Sequence, residues 1–142
     1  MDDPFDLRRF IAAQAPVMPQ VLRELAGGRK QTHWMWFVFP QLRGLGSSAM
    51  ATRYGITSLA EARAYLAHPL LGARLRDGVA LVSAVRERSA AEILGAVDAQ
   101  KLRSCLTLFA VAEPAETCFR AALDRFFDGE ADGRTLELLN SA

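Results

Sequence analysis

The chain has almost no lysine and almost no asparagine, with two of the first and one of the second in 142 residues. Cysteine, histidine and tryptophan also occur only twice each. Two cysteines, Cys105 and Cys118, are too few for a disulfide framework. Both fall in helical patterns, where free thiols buried in a reducing cytoplasm are expected. Two histidines and two cysteines without zinc-like spacing give no metal site, and no cofactor is implied. An excess of charge is missing too, since seventeen basic residues face sixteen acidic ones, a formal +1. Near-neutrality removes the electrostatic case for nucleic acid or an anionic membrane surface as partner. No apolar run approaches the roughly 20 residues that span a bilayer. The acidic, amphipathic start MDDPFDLRRF does not read as a signal peptide, so the expectation is a cytoplasmic protein. Oligomeric state is not legible.

What is present is a globular composition, 51% apolar and 23% charged, consistent with one domain over residues 1–142. Caps and breakers divide it into short helices. Asp3-Pro4 predicts an N-cap and first-turn proline for a run to about Gln14, and Pro19 opens a helix that Gly27-Gly28 closes. Ser58…Glu61 and Ser89…Glu92 have capping-box spacing. His68-Pro69 starts the longest amphipathic run, with Leu71, Leu75, Val79 and Val82 on one face. Asp98 is expected to cap AQKLRSCLTLFAVA, which must stop near Pro114. Asp128 belongs to the turn at Gly129. The fold class is all-α, with about seven to nine short helices.

One stretch, His33 to Pro40 (HWMWFVFP), is ambiguous. Strand alternation puts Trp34, Trp36 and Val38 on one face, but no other segment offers it a partner. With Thr32 as cap and Pro40 as terminator, it reads as a buried helix of about two turns, a hydrophobic post. His33 would then sit at its first turn, free to hydrogen-bond nearby backbone or to face a ligand.

Candidate chemistry lies on either side of this post. The basic side chains divide as fifteen Arg and two Lys, Lys30 and Lys101. A GC-rich coding background accounts for this, or these two positions require a compact ammonium. Downstream of the post, Arg43, Gly44, Gly46, Ser47 and Ser48 form a loop whose backbone can approach an anion, or a plain connection with Ser48 as N-cap. Lys101, Ser104 and Thr107 form a polar ridge at i, i+3, i+6. It lines a cavity, or else the hydroxyls bond back to their own helix while Lys101 snorkels outward.

The segments GRKQTHWMWFVFPQLRGLG, YGITSLAEARAYLAHPLLGARL and KLRSCLTLF resemble DUF1810, a bacterial family of unknown function, over nearly the whole chain. The resemblance implies a compact multihelical fold and no established activity. Lys30, His33, Trp34, Trp36, Gln41, Gly44, Gly46, Tyr54, His68, Lys101, Ser104 and Thr107 all fall on its motif positions. The chain departs from the pattern at Gln31 and Cys105, and the latter weakens any role for a hydroxyl there.

Together these readings point to a pocket for a small anionic molecule, such as a nucleotide or sugar phosphate. Lys30 and Lys101 would meet charge, the Arg43–Ser48 loop would donate backbone N–H groups, and Trp34 or Trp36 could stack on a ring. Gln41, Tyr54, Ser104 and Thr107 would complete the lining. If there is catalysis, hydrolysis or group transfer with His33 as acid–base and Lys101 as its charged partner is the natural form. The alternative is a non-enzymatic module that docks a partner protein.

Overall fold

The longest helix of the chain supplies its centre. The computed structural model describes residues 2–141, which form ten helices and no strand. They are α1 (Arg8–Gln14), α2 (Met18–Ala26), α3 (Met35–Val38), α4 (Ala49–Arg53) and α5 (Leu59–Ala67). Then follow α6 (Pro69–Ser83), α7 (Ala90–Leu94), α8 (Ala96–Ala112), α9 (Thr117–Phe127) and α10 (Gly133–Asn140). The count exceeds the expected seven to nine because several elements are single turns, held by tertiary packing rather than by their own propensity. Helix α8 lies centrally, with α5, α7, α9 and α10 against it, while α6 packs on α2, α5 and α9. Leu102, Cys105, Leu106 and Phe109 are fully buried on α8, as the helical wheel predicts. A row of rings crosses the core from α1 to α9. Phe10 meets Tyr65 at 5.1 Å, Tyr65 meets Phe109 at 5.6 Å, and Phe109 meets Phe119 at 5.7 Å.

Several caps form as the sequence predicts. Ser89 and Glu92 close a reciprocal capping box, Ser58 and Ser48 each cap a helix, and His68 Nδ1 accepts from the N–H groups of Leu70 and Leu71. Other boundaries differ for identifiable reasons. Asp3 accepts from the Leu7 and Arg8 N–H groups, but Asp6 takes a left-handed conformation (φ 52°), so α1 begins only at Arg8. Asp98 does not cap α8. Gly95, at φ 90°, turns the chain into the helix three residues earlier, which places Asp98 in the first turn with its carboxylate free for other partners.

The aromatic stretch is helical but shorter than expected, one turn over Met35–Val38 instead of two. Thr32 is not its cap, because the Thr32 hydroxyl donates to Glu24 at 2.7 Å and the N-cap position falls to Trp34. Beyond Pro40 the chain makes a parallel bridge, Leu42 to Ile56. The Ile56 N–H donates to the Gln41 carbonyl at 2.9 Å and the Arg43 N–H to the Ile56 carbonyl at 2.8 Å. Gly55 permits this approach, since a Cβ there would lie 2.6 Å from that of Arg43. The bridge ties Gln41 and the start of the following loop to the segment that leads into α5.

Candidate functional site

Three carboxylates organise the polar side chains around α8 and the aromatic turn. The first is Glu24 of α2, almost fully buried. Its Oε1 accepts from the N–H groups of Gln31 (2.8 Å) and Thr32 (3.0 Å) and from Trp34 Nε1 (2.9 Å). Its Oε2 accepts from Thr32 Oγ1 (2.7 Å) and Gln20 Nε2 (2.8 Å). Burial opposes its ionisation, but the bonds from Gln31, Thr32 and Trp34 outweigh burial and bring its pKa down to about 2. Glu24 therefore folds the RKQTHW segment onto α2 and sets the Trp34 ring.

The second carboxylate is Asp98, and both lysines reach it. Lys30 Nζ lies 2.9 Å from Oδ2 and Lys101 Nζ 3.6 Å from Oδ1. Each ammonium also stands over a tryptophan, Lys30 above Trp34 and Lys101 above Trp36, both at 5.1 Å from the ring centroid. The Lys30 side chain is only 9% exposed, while that of Lys101 is 23% exposed. A compact ammonium suits both places, since each must reach one carboxylate oxygen beside an indole face.

The third is Asp132, which caps α10 by accepting from the Thr135 N–H at 3.0 Å. It also accepts from Thr135 Oγ1 (2.5 Å), Ser104 Oγ (3.1 Å) and Gln100 Nε2 (2.9 Å). Its own N–H donates to Thr107 Oγ1 at 2.8 Å. Ser104 and Thr107 also bond back to the carbonyls of Gln100 and Arg103. The polar ridge of α8 is thus a docking strip for the start of α10, and Thr107 is buried within it.

Above this strip runs a groove of about 430 Å³ between α8 and the loop after the aromatic turn. Gln41, Gly46, Lys101 and Ser104 line it, together with Arg134 and the rim residues Leu45 and Val97. Beneath, Trp36, Gln41, Tyr54 and Lys101 enclose a space of about 10 Å³, room for about one water. Trp36 is half-buried and Trp34 fully so, which leaves Trp36 as the tryptophan nearer the groove.

The remaining sequence candidates lie elsewhere. Trp34 and Lys30 are sealed in the packing between the Glu24 and Asp98 clusters. Arg43 faces a separate cleft with Thr57, Leu138 and Leu139. Gly44 turns at φ 105° near the Leu138 side chain. Ser47 is exposed. His33 is exposed, precedes the helix instead of standing in its first turn, and its imidazole makes no hydrogen bond among the described residues. Five groove residues were missed from sequence: Leu45, Val97, Gln100, Asp132 and Arg134. The D-x-x-T spacing of Asp132 and Thr135 is a helix-start signal that would have placed Arg134 on the first turn of α10. Asp98 and Lys101 at i, i+3 were likewise readable as a pair. Among the described residues no group of His, Cys, Asp and Glu is arranged to hold a metal ion, and no helix is long and apolar enough to cross a membrane. Burial raises the thiol pKa of both Cys105 and Cys118, which disfavours thiolate chemistry at either.

The family model for DUF1810, described as a protein of unknown function, matches residues 4–139, and the chain belongs to that family. It is similar to a solved structure, the conserved hypothetical protein Rv1873 from Mycobacterium tuberculosis. The two are 57% identical with a TM-score of 0.96, over 97% of this chain and 99% of that one. Among curated proteins nothing matches.

Proposed function

We propose that the groove beside Lys101 binds a small anionic molecule. The observation that carries this reading is the convergence of Gln41, Gly46, Lys101 and Ser104, drawn from two distant segments, on one groove of about 430 Å³. Lys101 and Arg134 supply cationic heads at its wall. Lys101 is held loosely by Asp98, at 3.6 Å, and can turn to a ligand without unfolding anything. The Gln41 side-chain amide makes no hydrogen bond among the described residues and is available as donor or acceptor. A nucleotide or sugar phosphate fits this donor set.

Binding, not turnover, is the reading we favour. Asp132, the carboxylate in the lining, has both oxygens engaged in holding α10, and His33 does not line the groove. A hydrolytic or transfer reaction would need His33 to be brought in by a movement of its loop. A partner-docking role without small ligands is favoured by one feature, Val97, which is 72% exposed on the groove rim. A thermal-shift screen against nucleotides and phosphorylated sugars tests the main reading. A hit should raise the melting temperature of wild type and of His33→Ala, and the shift should vanish in Lys101→Ala. Equal shifts in wild type and Lys101→Ala would refute the assignment. Silence across the panel would favour the docking role.

A further inference from the structure

We infer that a second cleft, remote in sequence from the Lys101 groove, binds the diphosphate group of a small molecule. It forms where α2, the loop after α2 and the loop between α6 and α7 meet, and it measures about 380 Å³. Its lining includes Arg23 from α2, Arg29 from the following loop and Arg88 from the α6–α7 loop, around Gln20, Glu24 and Gln31. Among the described residues none of the three guanidiniums takes part in an ion pair. Two of them are positioned on neutral acceptors, which orient a guanidinium without cancelling its charge. Arg23 donates to the Gln20 side-chain carbonyl at 2.5 Å, and Arg88 to the Gly28 carbonyl at 3.1 Å. Arg29 makes no side-chain hydrogen bond among the described residues.

The surrounding backbone is fixed. Arg125 of α9 donates to the carbonyls of Val85 (2.6 Å) and Arg86 (2.9 Å), which pins the loop that carries Arg88. Glu24 fixes the Gln31–Thr32 backbone on the other side. The one carboxylate in the lining is Glu24 itself. Both its oxygens are taken up by five donors, so it cannot swing out to neutralise an arginine. Glu92, the acid whose charge feels Arg88, is held on the Ser89 N–H by the capping box. The lining therefore keeps a surplus of positive charge carried on planar forks, the geometry that matches phosphate oxygens in pairs. Forks offered from three separate elements suit two linked phosphates better than one.

Titration of the 15N-labelled chain with pyrophosphate and with orthophosphate, at constant ionic strength, tests this. Saturable shifts should appear at the Arg23, Arg29 and Arg88 side chains and at the Gly27, Gly28 and Gln31 amides. Pyrophosphate should bind about tenfold tighter than orthophosphate, and Arg29→Gln should weaken it about tenfold, the loss of one charge-assisted contact. Arg29 supports nothing else in the fold, so this variant stays native. Arg120→Gln, with the same charge change on α9, should leave pyrophosphate binding as it is. Arg29→Lys, which keeps the charge and loses the fork, should fall between wild type and Arg29→Gln. Equal pyrophosphate affinity in wild type and Arg29→Gln, or equal losses in Arg29→Gln and Arg120→Gln, would overturn the assignment.

Discussion

Two regions meet at Asp98 and treat the same kind of side chain differently. On the Lys30 side the ammonium is sealed, 9% exposed and 2.9 Å from its carboxylate. That side continues into the Glu24 cluster, where one carboxylate takes five hydrogen bonds. On the Lys101 side the ammonium is 23% exposed, sits at 3.6 Å and borders an open groove. Among the described residues no buried side-chain polar atom lacks a partner, so the interior offers a ligand nothing to satisfy. Residues rich in partners hold the fold, and residues with spare capacity at a concave surface are the ones a ligand can use. By that criterion the Lys30–Trp34 region is scaffold, and the Lys101 groove is where we propose that a ligand binds.

The contrast is broken most easily at the scaffold. Trp34→Ala should cost about 3–5 kcal/mol in urea denaturation, through the cavity left by a fully buried indole. Trp36→Ala should cost clearly less, since its ring is half-buried; equal losses would mean that the two regions are packed alike. Glu24→Gln should cost about 3 kcal/mol, since an amide places donors against donors. The pH dependence sharpens the same point. The folded pKa of Glu24, about 2, lies below its ordinary value of 4.5. Ionised Glu24 thus stabilises the fold, fully so above about pH 5, and the contribution fades as pH falls through the folded value. Wild type should lose about 3 kcal/mol over that interval beyond what Glu24→Gln loses, and parallel acid profiles would contradict the assignment. Next in size is Asp98→Asn, which leaves the buried Lys30 ammonium without a counter-charge and should cost about 2 kcal/mol.

The same contrast explains what the sequence shows and what it hides. Ser58, Ser89, His68 and the Gly27-Gly28 stop act within a few residues of themselves, so their signals are local and readable. Asp98 was misread because a glycine with positive φ starts a helix as firmly as a side-chain cap does, without a side-chain signature. Thr32 was misread because its hydroxyl could serve its own turn or a carboxylate eight residues back, and Glu24 offered the buried partner. Ser104 and Thr107 stood out as polar residues on an apolar helix, yet their partner Asp132 is more than twenty residues away. Local spacing could flag them, but only the tertiary fold shows that they hold α10. The lysines were found by scarcity, a signal independent of distance, and the fold places both on one carboxylate.

The smallest stability effect should come from Lys101→Ala. Its ion pair is partly solvated and loose, a geometry that contributes under about 1 kcal/mol, so the melting curve should nearly overlay that of wild type. Lys30→Ala is the matched control. It removes the same kind of ammonium from the same carboxylate, but from a sealed position, and should destabilise by about 2 kcal/mol through lost packing on Trp34 and loss of the nearer of the two ammonium partners of Asp98. Ligand response should run the other way, with the thermal shift from a bound anion lost in Lys101→Ala and kept in Lys30→Ala at its lower baseline. If both lysines lower stability equally, or if Lys30→Ala alone abolishes the shift, the division between scaffold and site is drawn on the wrong side of Asp98.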